Sequence, residues 1–354
     1  MIVLVSIIAA NSVCRRYIMY LRTGFFSVLT CLMMATIYTA SGVDTSGLIF
    51  LGGEYVLQSE DNEGYNAFDV SRIYLTIKDS LPQRENSRFQ TGYRATVDLK
   101  RFENGYLVRA LKFGYIELVH ISTGVKVQLG QHLLPWVAYA DRILGIRFVT
   151  LSFPNRLKKL DSTDLGLSVM RDLPRGYGDI HISVVNGEGY HAAEVNKYKD
   201  FMGRLSIRPL PNNANLKGLM ANVYFGYGVP EKDMSRHRLV GALTYQGKCL
   251  AMIGEYLGSW DGDSDDPING AGFASSMRFD LGKLVGADSY GVLGKMERFD
   301  PNIDQEDDSQ FRILVGIYYE VVSGLKFALD YEALSHEGNG DTEGTIALHT
   351  QTKF

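Results

Sequence analysis

The side chains best suited to chemistry lie in one long stretch, "HLLPWVAYADRILGIRFVTLSFPNRLKKLDS", residues 132–162. It combines large aromatic side chains with five cations: Arg142, Arg147, Arg156, Lys158 and Lys159. Guanidinium groups bind carboxylates and phosphates through paired hydrogen bonds, so this stretch predicts contact with anions. A connection of this length is rarely an idle linker. We therefore expect it to fold back against the rest of the chain, with a surface lid or a contact between subunits as the alternative.

Motifs for catalysis or metal binding are missing from the sequence. The seven histidines are scattered, and there is no G-x-S-x-G, H-E-x-x-H or C-x-x-C pattern. The stretch "DGDSDDPINGAG", residues 261–272, has the acids of a calcium loop, but Asp266 and Gly272 replace the glycine and glutamate such a loop needs. We interpret it as a solvated acidic loop. The sequence predicts no enzyme, no cofactor and no metal site.

The elements that must position the basic stretch are β-strands. In "FRILVGIYYE" the apolar Phe311, Ile313 and Val315 alternate with Arg312 and Leu314, and alternation of period two places the two sets on opposite faces of a sheet. About sixteen segments behave in this way, although "LVRALKFGYIEL" alternates poorly and predicts a bulge. Their approximate cores are 48–58, 68–79, 88–101, 106–119, 124–131, 163–171, 178–186, 200–210, 217–228, 236–246, 249–260, 271–281, 289–299, 310–320, 324–334 and 344–354.

Residues 1–42 differ from the remainder of the chain. They contain three arginines, no acid and two apolar runs, and from Met19 onward they have the pattern of a secretory signal peptide, with a true start near Met19 as one reading and a membrane anchor as the alternative. The remainder has 33 basic and 40 acidic side chains, about −7, which argues against nucleic-acid binding. Cys249 is its lone cysteine, so no disulfide framework is expected.

The connections between the strands alternate in character. One set is long or acidic, as in "SEDNEGYN" and "PNIDQEDDSQ", and the other is mostly tight, as in "STG" and "VSG". Transmembrane β-barrels have short turns at one rim and longer loops at the other, and lipid requires the sheet to close. We therefore predict an all-β fold for residues 43–354. It is a transmembrane antiparallel β-barrel of about 16 strands in the outer membrane of a Gram-negative bacterium. Its third extracellular loop, residues 132–162, would fold inward as a constriction.

Charges on the barrel wall would set the selectivity of such a pore. The alternation directs Arg94, Arg204, Arg208 and Arg312 inward, together with a similar number of acids. Pairing between these wall charges is the competing interpretation. Anion preference therefore rests mainly on the basic loop.

A few stretches resemble a known family. "FGYIELVHISTGVKVQLGQHLLPW", residues 113–136, resembles the phosphate-selective porins of the O/P type through Tyr115, Glu117, Gly130, Gln131, Pro135 and Trp136. The resemblance implies an outer-membrane porin, often a homotrimer, that passes small hydrophilic solutes with a possible preference for anions such as phosphate. A structural or adhesive barrel with a blocked lumen is the alternative function. Outer-membrane lipid and lipopolysaccharide would surround the barrel.

The last segment, "TIALHTQTKF", places Ile346, Leu348 and Phe354 on one face. Outer-membrane barrels commonly end on an aromatic residue, and the resemblance implies that Phe354 is a signal for the outer-membrane assembly machinery. The same strand is expected to pair with the first one and remove both sheet edges.

Overall fold

The computed structural model describes residues 43–59, 62–101, 107–263, 267–286, 289–338 and 342–354 of the 354-residue chain. Each strand pairs antiparallel with its neighbours along the chain, and β1 pairs with β16, which closes the barrel. The predicted fold of sixteen antiparallel strands is therefore confirmed. The strands are β1 Asp44–Gln58, β2 Asn66–Ser80, β3 Phe89–Arg101, β4 Leu107–His120, β5 Lys126–Leu133, β6 Thr163–Asp172, β7 Gly178–Val185, β8 Asp200–Ile207, β9 Leu219–Gly228, β10 Met234–Gln246, β11 Leu250–Asp263, β12 Pro267–Asp280, β13 Tyr290–Asp300, β14 Gln310–Val322, β15 Leu325–His336 and β16 Thr342–Lys353.

Helices are short and few among the described residues. Two of them, α1 (Val137–Leu144) and α2 (Phe153–Arg156), lie in the connection between β5 and β6. The third, α3 (Leu281–Val285), follows β12, and a single 3₁₀ turn covers Pro174–Gly176. Within the described ranges, no helix is long and apolar enough to cross a membrane.

The two faces of the sheet differ as the alternation predicts. In β14, Val315 and Ile317 are 52% and 59% exposed, whereas their neighbour Leu314 is buried. Exposed apolar side chains recur on the same outer face of other strands, for example Leu129 of β5 and Phe273 of β12. An apolar outer face on a closed sheet is the surface that lipid requires. The opposite face, here called the inner face, carries the buried charges.

The structure confirms one sequence interpretation and contradicts another. The poor alternation in β4 is a bulge: the β3–β4 register shifts at Thr96/Val97, and Lys112 is the extra residue between Leu111 and Phe113.

The prediction of an acidic loop at residues 261–272 is wrong for most of its length. There β11 runs to Asp263 and β12 begins at Pro267, while residues 264–266 lie outside the described ranges. Asp261 is only partly exposed, at 29%, and its carboxylate lies 2.9 Å from Lys159 Nζ. Residues 1–42 also lie outside the described ranges.

The closing seam runs from β1 to β16. Gly47 and Phe354 exchange two backbone hydrogen bonds of 2.7 and 3.1 Å, so the last residue extends the pairing beyond β16. The Phe354 ring covers Gly47 on the outer face, and a Cβ at position 47 would overlap with it. Phe354 is 65% exposed and shares its face with Leu348.

Gly130 fixes the pairing at the end of β5 that leads into the long connection. Its φ is +121°, and a Cβ there would overlap with the Gly114 carbonyl oxygen and lie 2.9 Å from the Tyr115 Cα. We expect Gly130→Ala to lower the free energy of unfolding by about 1–3 kcal/mol, because it adds backbone strain and a clash with β4. The midpoint of urea unfolding in detergent measures this. Gly241→Ala is the matched control, since a Cβ at position 241 meets nothing within 4 Å; equal midpoints for the two variants would contradict the prediction.

Candidate functional site

The connection between β5 and β6, residues 134–162, packs against the inner face of distant strands. Its apolar side chains are almost fully buried: Trp136 is 1% exposed, and Val137 and Phe153 are 0% exposed. They share one apolar cluster with inner-face residues such as Leu257 of β11 and Leu314 of β14. Buried apolar area of this extent holds the segment against one side of the sheet.

Polar anchors fix the backbone of the same segment. Arg278 of β12 donates to the Leu144 carbonyl at 2.7 Å, and Lys295 of β13 donates to the Leu151 carbonyl at 2.6 Å. Both acceptors lie near the ends of short helices or in irregular backbone, where carbonyls lack partners within the segment. The segment 134–162 connects β5 to β6, but the strands that hold it in place lie far from both.

The residues that carry the porin resemblance lie where the chain leaves β5. Tyr115 pairs with Gly130, and Gln128 donates to Glu117 at 2.7 Å. The Gln131 side chain donates to the Leu111 carbonyl beside the β4 bulge. These contacts fix the direction in which the chain leaves the sheet.

Pro135 and Trp136 then bring the chain to the other side. The Pro135 carbonyl accepts from Arg204 Nε of β8 at 2.9 Å, and Trp136 Nε1 donates to Glu255 Oε2 of β11 at 3.1 Å. Because a buried indole N–H needs an acceptor, Glu255 specifies where the ring docks.

A buried ionic cluster anchors α2. Glu297 of β13 is 1% exposed and contacts three cations, with distances of 2.5 Å to Arg156 Nε, 2.5 Å to Lys295 Nζ and 3.3 Å to Arg312 Nη1. Arg312 also pairs with Glu332 and donates to Thr150 of the segment at 3.1 Å. One carboxylate thus connects α2 to two strands.

A cavity of about 730 Å³ lies between the segment and the strands β16 and β1–β8. Its lining includes eight basic side chains against three acidic ones, Asp141, Asp172 and Asp179. Asp141 pairs with Arg147 at 2.8 Å and Asp179 with Arg204 at 2.5 Å, so most of the negative charge is already compensated. The basic residues are Arg94, Lys112, Lys126, Arg142, Arg147, Arg171, Arg204 and Lys353.

The predicted pore cations fall into two groups. Arg94, Arg142, Arg147 and Arg204 line the cavity. Arg156, Lys159 and Arg312 do not; they form the ion pairs that hold the segment to the wall, Lys159 with Asp261 and the other two with Glu297. Arg208 lies after the end of β8 and donates to the Gly176 carbonyl, and Lys158 is exposed outside this cavity.

Lys112 is a cavity cation that periodicity alone does not place. The bulge turns it inward, where its Nζ donates to the Tyr74 hydroxyl at 2.8 Å and lies 4.6 Å from the centre of that ring. The broken alternation in "LVRALKFGYIEL" is the available signal, but it does not say which residue is the extra one. Lys353 follows simple alternation, whereas Arg171 has the parity of the outward-facing Leu167 and Val169 and reaches the cavity lining at the end of β6.

The Asp141 carboxyl on α1 has a pKa above its ordinary value as the net result of two opposing effects. Burial raises the pKa of the Asp141 carboxyl, and Arg147 at 2.8 Å lowers it. Arg142, the next residue, is exposed to the cavity and lies 5.6 Å from the Tyr139 ring centre.

In the described ranges no group of three or more His, Cys, Asp or Glu side chains is placed to hold a metal ion.

Comparison with known proteins finds solved structures that share the fold. No family model and no curated protein matches the sequence. The anion-selective porin from Comamonas acidovorans is similar in structure, with a TM-score of 0.66 and 11% identity over 88% of this chain and 99% of that one. Pseudomonas putida OprB has a TM-score of 0.65 and 10% identity, covering 90% of this chain and 96% of that one. Salmonella typhi OmpF, in complex with daunomycin, has a TM-score of 0.64 and 9% identity, covering 88% and 97%. These likenesses show that the chain has the porin fold.

Proposed function

We propose that the protein is an outer-membrane porin, a passive channel for small hydrophilic solutes that prefers anions. The observation that carries this is the lining of the cavity inside a closed barrel, with eight cations against three acids. The apolar outer face supports the placement in the outer membrane, and the segment 134–162 would be the constriction. The same proposal includes a signal peptide in residues 1–42, contacts with lipopolysaccharide and assembly as a homotrimer. It includes no enzymatic activity.

Reversal potentials in planar bilayers test this function. With a tenfold potassium chloride gradient across the bilayer, we expect the reversal potential to have the sign that indicates chloride preference. The reason is that the charges of the cavity lining attract anions. Repeating the measurement with phosphate tests the finer preference implied by the resemblance to the O/P porins. A clear preference for potassium would overturn the anion channel.

A structural or adhesive barrel with a blocked lumen is the second candidate. The observation that favours it is the apolar cluster shared by the segment and the wall, which fills one side of the barrel interior. Absence of conductance in every salt would support this candidate over the channel.

The terminal residue supplies a test of assembly. We propose that Phe354 is part of the signal read by the assembly machinery, and we expect Phe354→Ala to lower the amount of folded barrel in outer membranes severalfold. The variant keeps the backbone bonds to Gly47 that close the seam, so each assembled channel should conduct as the wild type does. Thr352→Ala, also on the outer face, is the control. Wild-type amounts of the Phe354→Ala protein would contradict this role.

A further inference from the structure

A second connection, residues 186–199 between β7 and β8, also reaches distant strands. Its two ends are fixed beside the strands that it joins. The Gly187 N–H donates to Asp164 Oδ2 at 2.7 Å, and Arg236 of β10 donates to the Gly187 carbonyl at 2.8 Å. Arg236 also pairs with Asp200, the first residue of β8, at 2.7 Å. One arginine therefore holds both ends of the connection.

Tyr190 carries the connection across the inner face. Its hydroxyl donates to Asp98 Oδ2 of β3 at 2.9 Å, although three strands lie between β3 and β7. Asp98 is 1% exposed and lies 3.5 Å from Arg72 of β2. Burial raises the pKa of Tyr190 above its ordinary value, so the hydroxyl stays protonated and remains a donor.

The far end of this bridge lies at the cavity. The Tyr190 ring centre is 5.3 Å from Lys112 Nζ, and Lys112 lines the cavity together with Tyr74. The near end passes the constriction segment, since a Cβ at Gly189 would lie 3.0 Å from the Asp161 carboxylate. Gly189 and Tyr190 therefore lie between the segment 134–162 and the strands β3 and β4 on the opposite side of the cavity.

We propose that residues 186–199 form a second constriction of the channel, held across it by the hydrogen bond between Tyr190 and Asp98. The inference rests on the proposed channel function and adds a size limit to it. Both long connections leave the same rim of the barrel, because each follows an odd-numbered strand. A solute that enters from that rim passes Tyr190 and Lys112 together, which restricts access to small anions.

Single-channel conductance of Tyr190→Ala tests the second constriction. We expect an increase of about 1.5- to 2-fold over the wild type, because removing the ring widens the passage beside Lys112. In proteoliposomes, the swelling rate with a trisaccharide should rise relative to the rate with a monosaccharide. Tyr190→Phe keeps the ring and removes only the hydrogen bond, so its conductance should lie between those of the wild type and Tyr190→Ala.

Tyr198→Ala is the matched control in the same connection. The Tyr198 ring lies near Lys197, at 5.7 Å, and its variant should conduct as the wild type does. A conducting wild type with unchanged conductance in both Tyr190 variants would overturn the second constriction alone. A wild type without conductance in any salt would overturn the channel and this constriction together.

Discussion

Replacing Arg94, Lys112 and Arg142 together by glutamine should lower the chloride-to-potassium permeability ratio by about tenfold. A unit charge a few Å from a permeating ion contributes on the order of 1 kcal/mol in water, and salt screens part of this. Arg94 and Lys112 lie on neighbouring strands and Arg142 on α1, so the three cations approach the cavity from two sides. Reversal potentials of the purified triple variant, measured in the same gradient as the wild type, give the ratio.

The control for this variant changes the same formal charge outside the cavity. Arg84, Lys217 and Lys232 are exposed in connections, and none of them lines the cavity. Their triple glutamine variant should keep the wild-type ratio. If the two triple variants shift the ratio equally, the selectivity comes from the net charge of the protein and not from the cavity lining.

The fold could be predicted because lipid imposes a simple rule on each strand. In β14 the sequence alternates, and the exposed side chains of the structure are the apolar ones, as in Val315 and Ile317. The closure through Phe354 follows from the same rule, since an unpaired edge is costly in lipid. Periodicity of two therefore determines the strands and their faces without knowledge of any long-range contact.

The site could be predicted only in part, because the partner of a charge depends on the tertiary structure. Arg142 and Arg156 are equivalent in the sequence, yet Arg142 faces the cavity and Arg156 pairs with Glu297, which lies 141 residues later. Arg147 lines the cavity but is compensated by Asp141 at 2.8 Å. Lys112 turns inward only because of the bulge. No local pattern distinguishes these cases.

Glu297→Gln should strongly destabilise the anchored segment, because this one carboxylate contacts three cations. The carboxylate compensates Arg156, Lys295 and Arg312 while almost fully buried. Removing one partner of a buried ion pair costs about 3–5 kcal/mol, because the remaining charge stays out of water. We expect a lower midpoint of urea unfolding and larger current fluctuations in bilayers, since α2 loses its ionic contact with β13.

Two further variants show whether the loss of stability comes from the ionic cluster around Glu297 or from the loss of any carboxylate. Glu231→Gln removes an exposed carboxylate from the connection between β9 and β10 and should keep the wild-type midpoint. Adding Lys295→Met to Glu297→Gln removes two opposite charges together, and replacing both partners by groups of similar shape costs less than removing one. The double variant should therefore recover part of the lost stability, and a double-mutant cycle gives the coupling between the two residues. If the double variant is less stable than Glu297→Gln by the full effect of Lys295→Met alone, the two charges are independent and Lys295 does not share the compensation by Glu297.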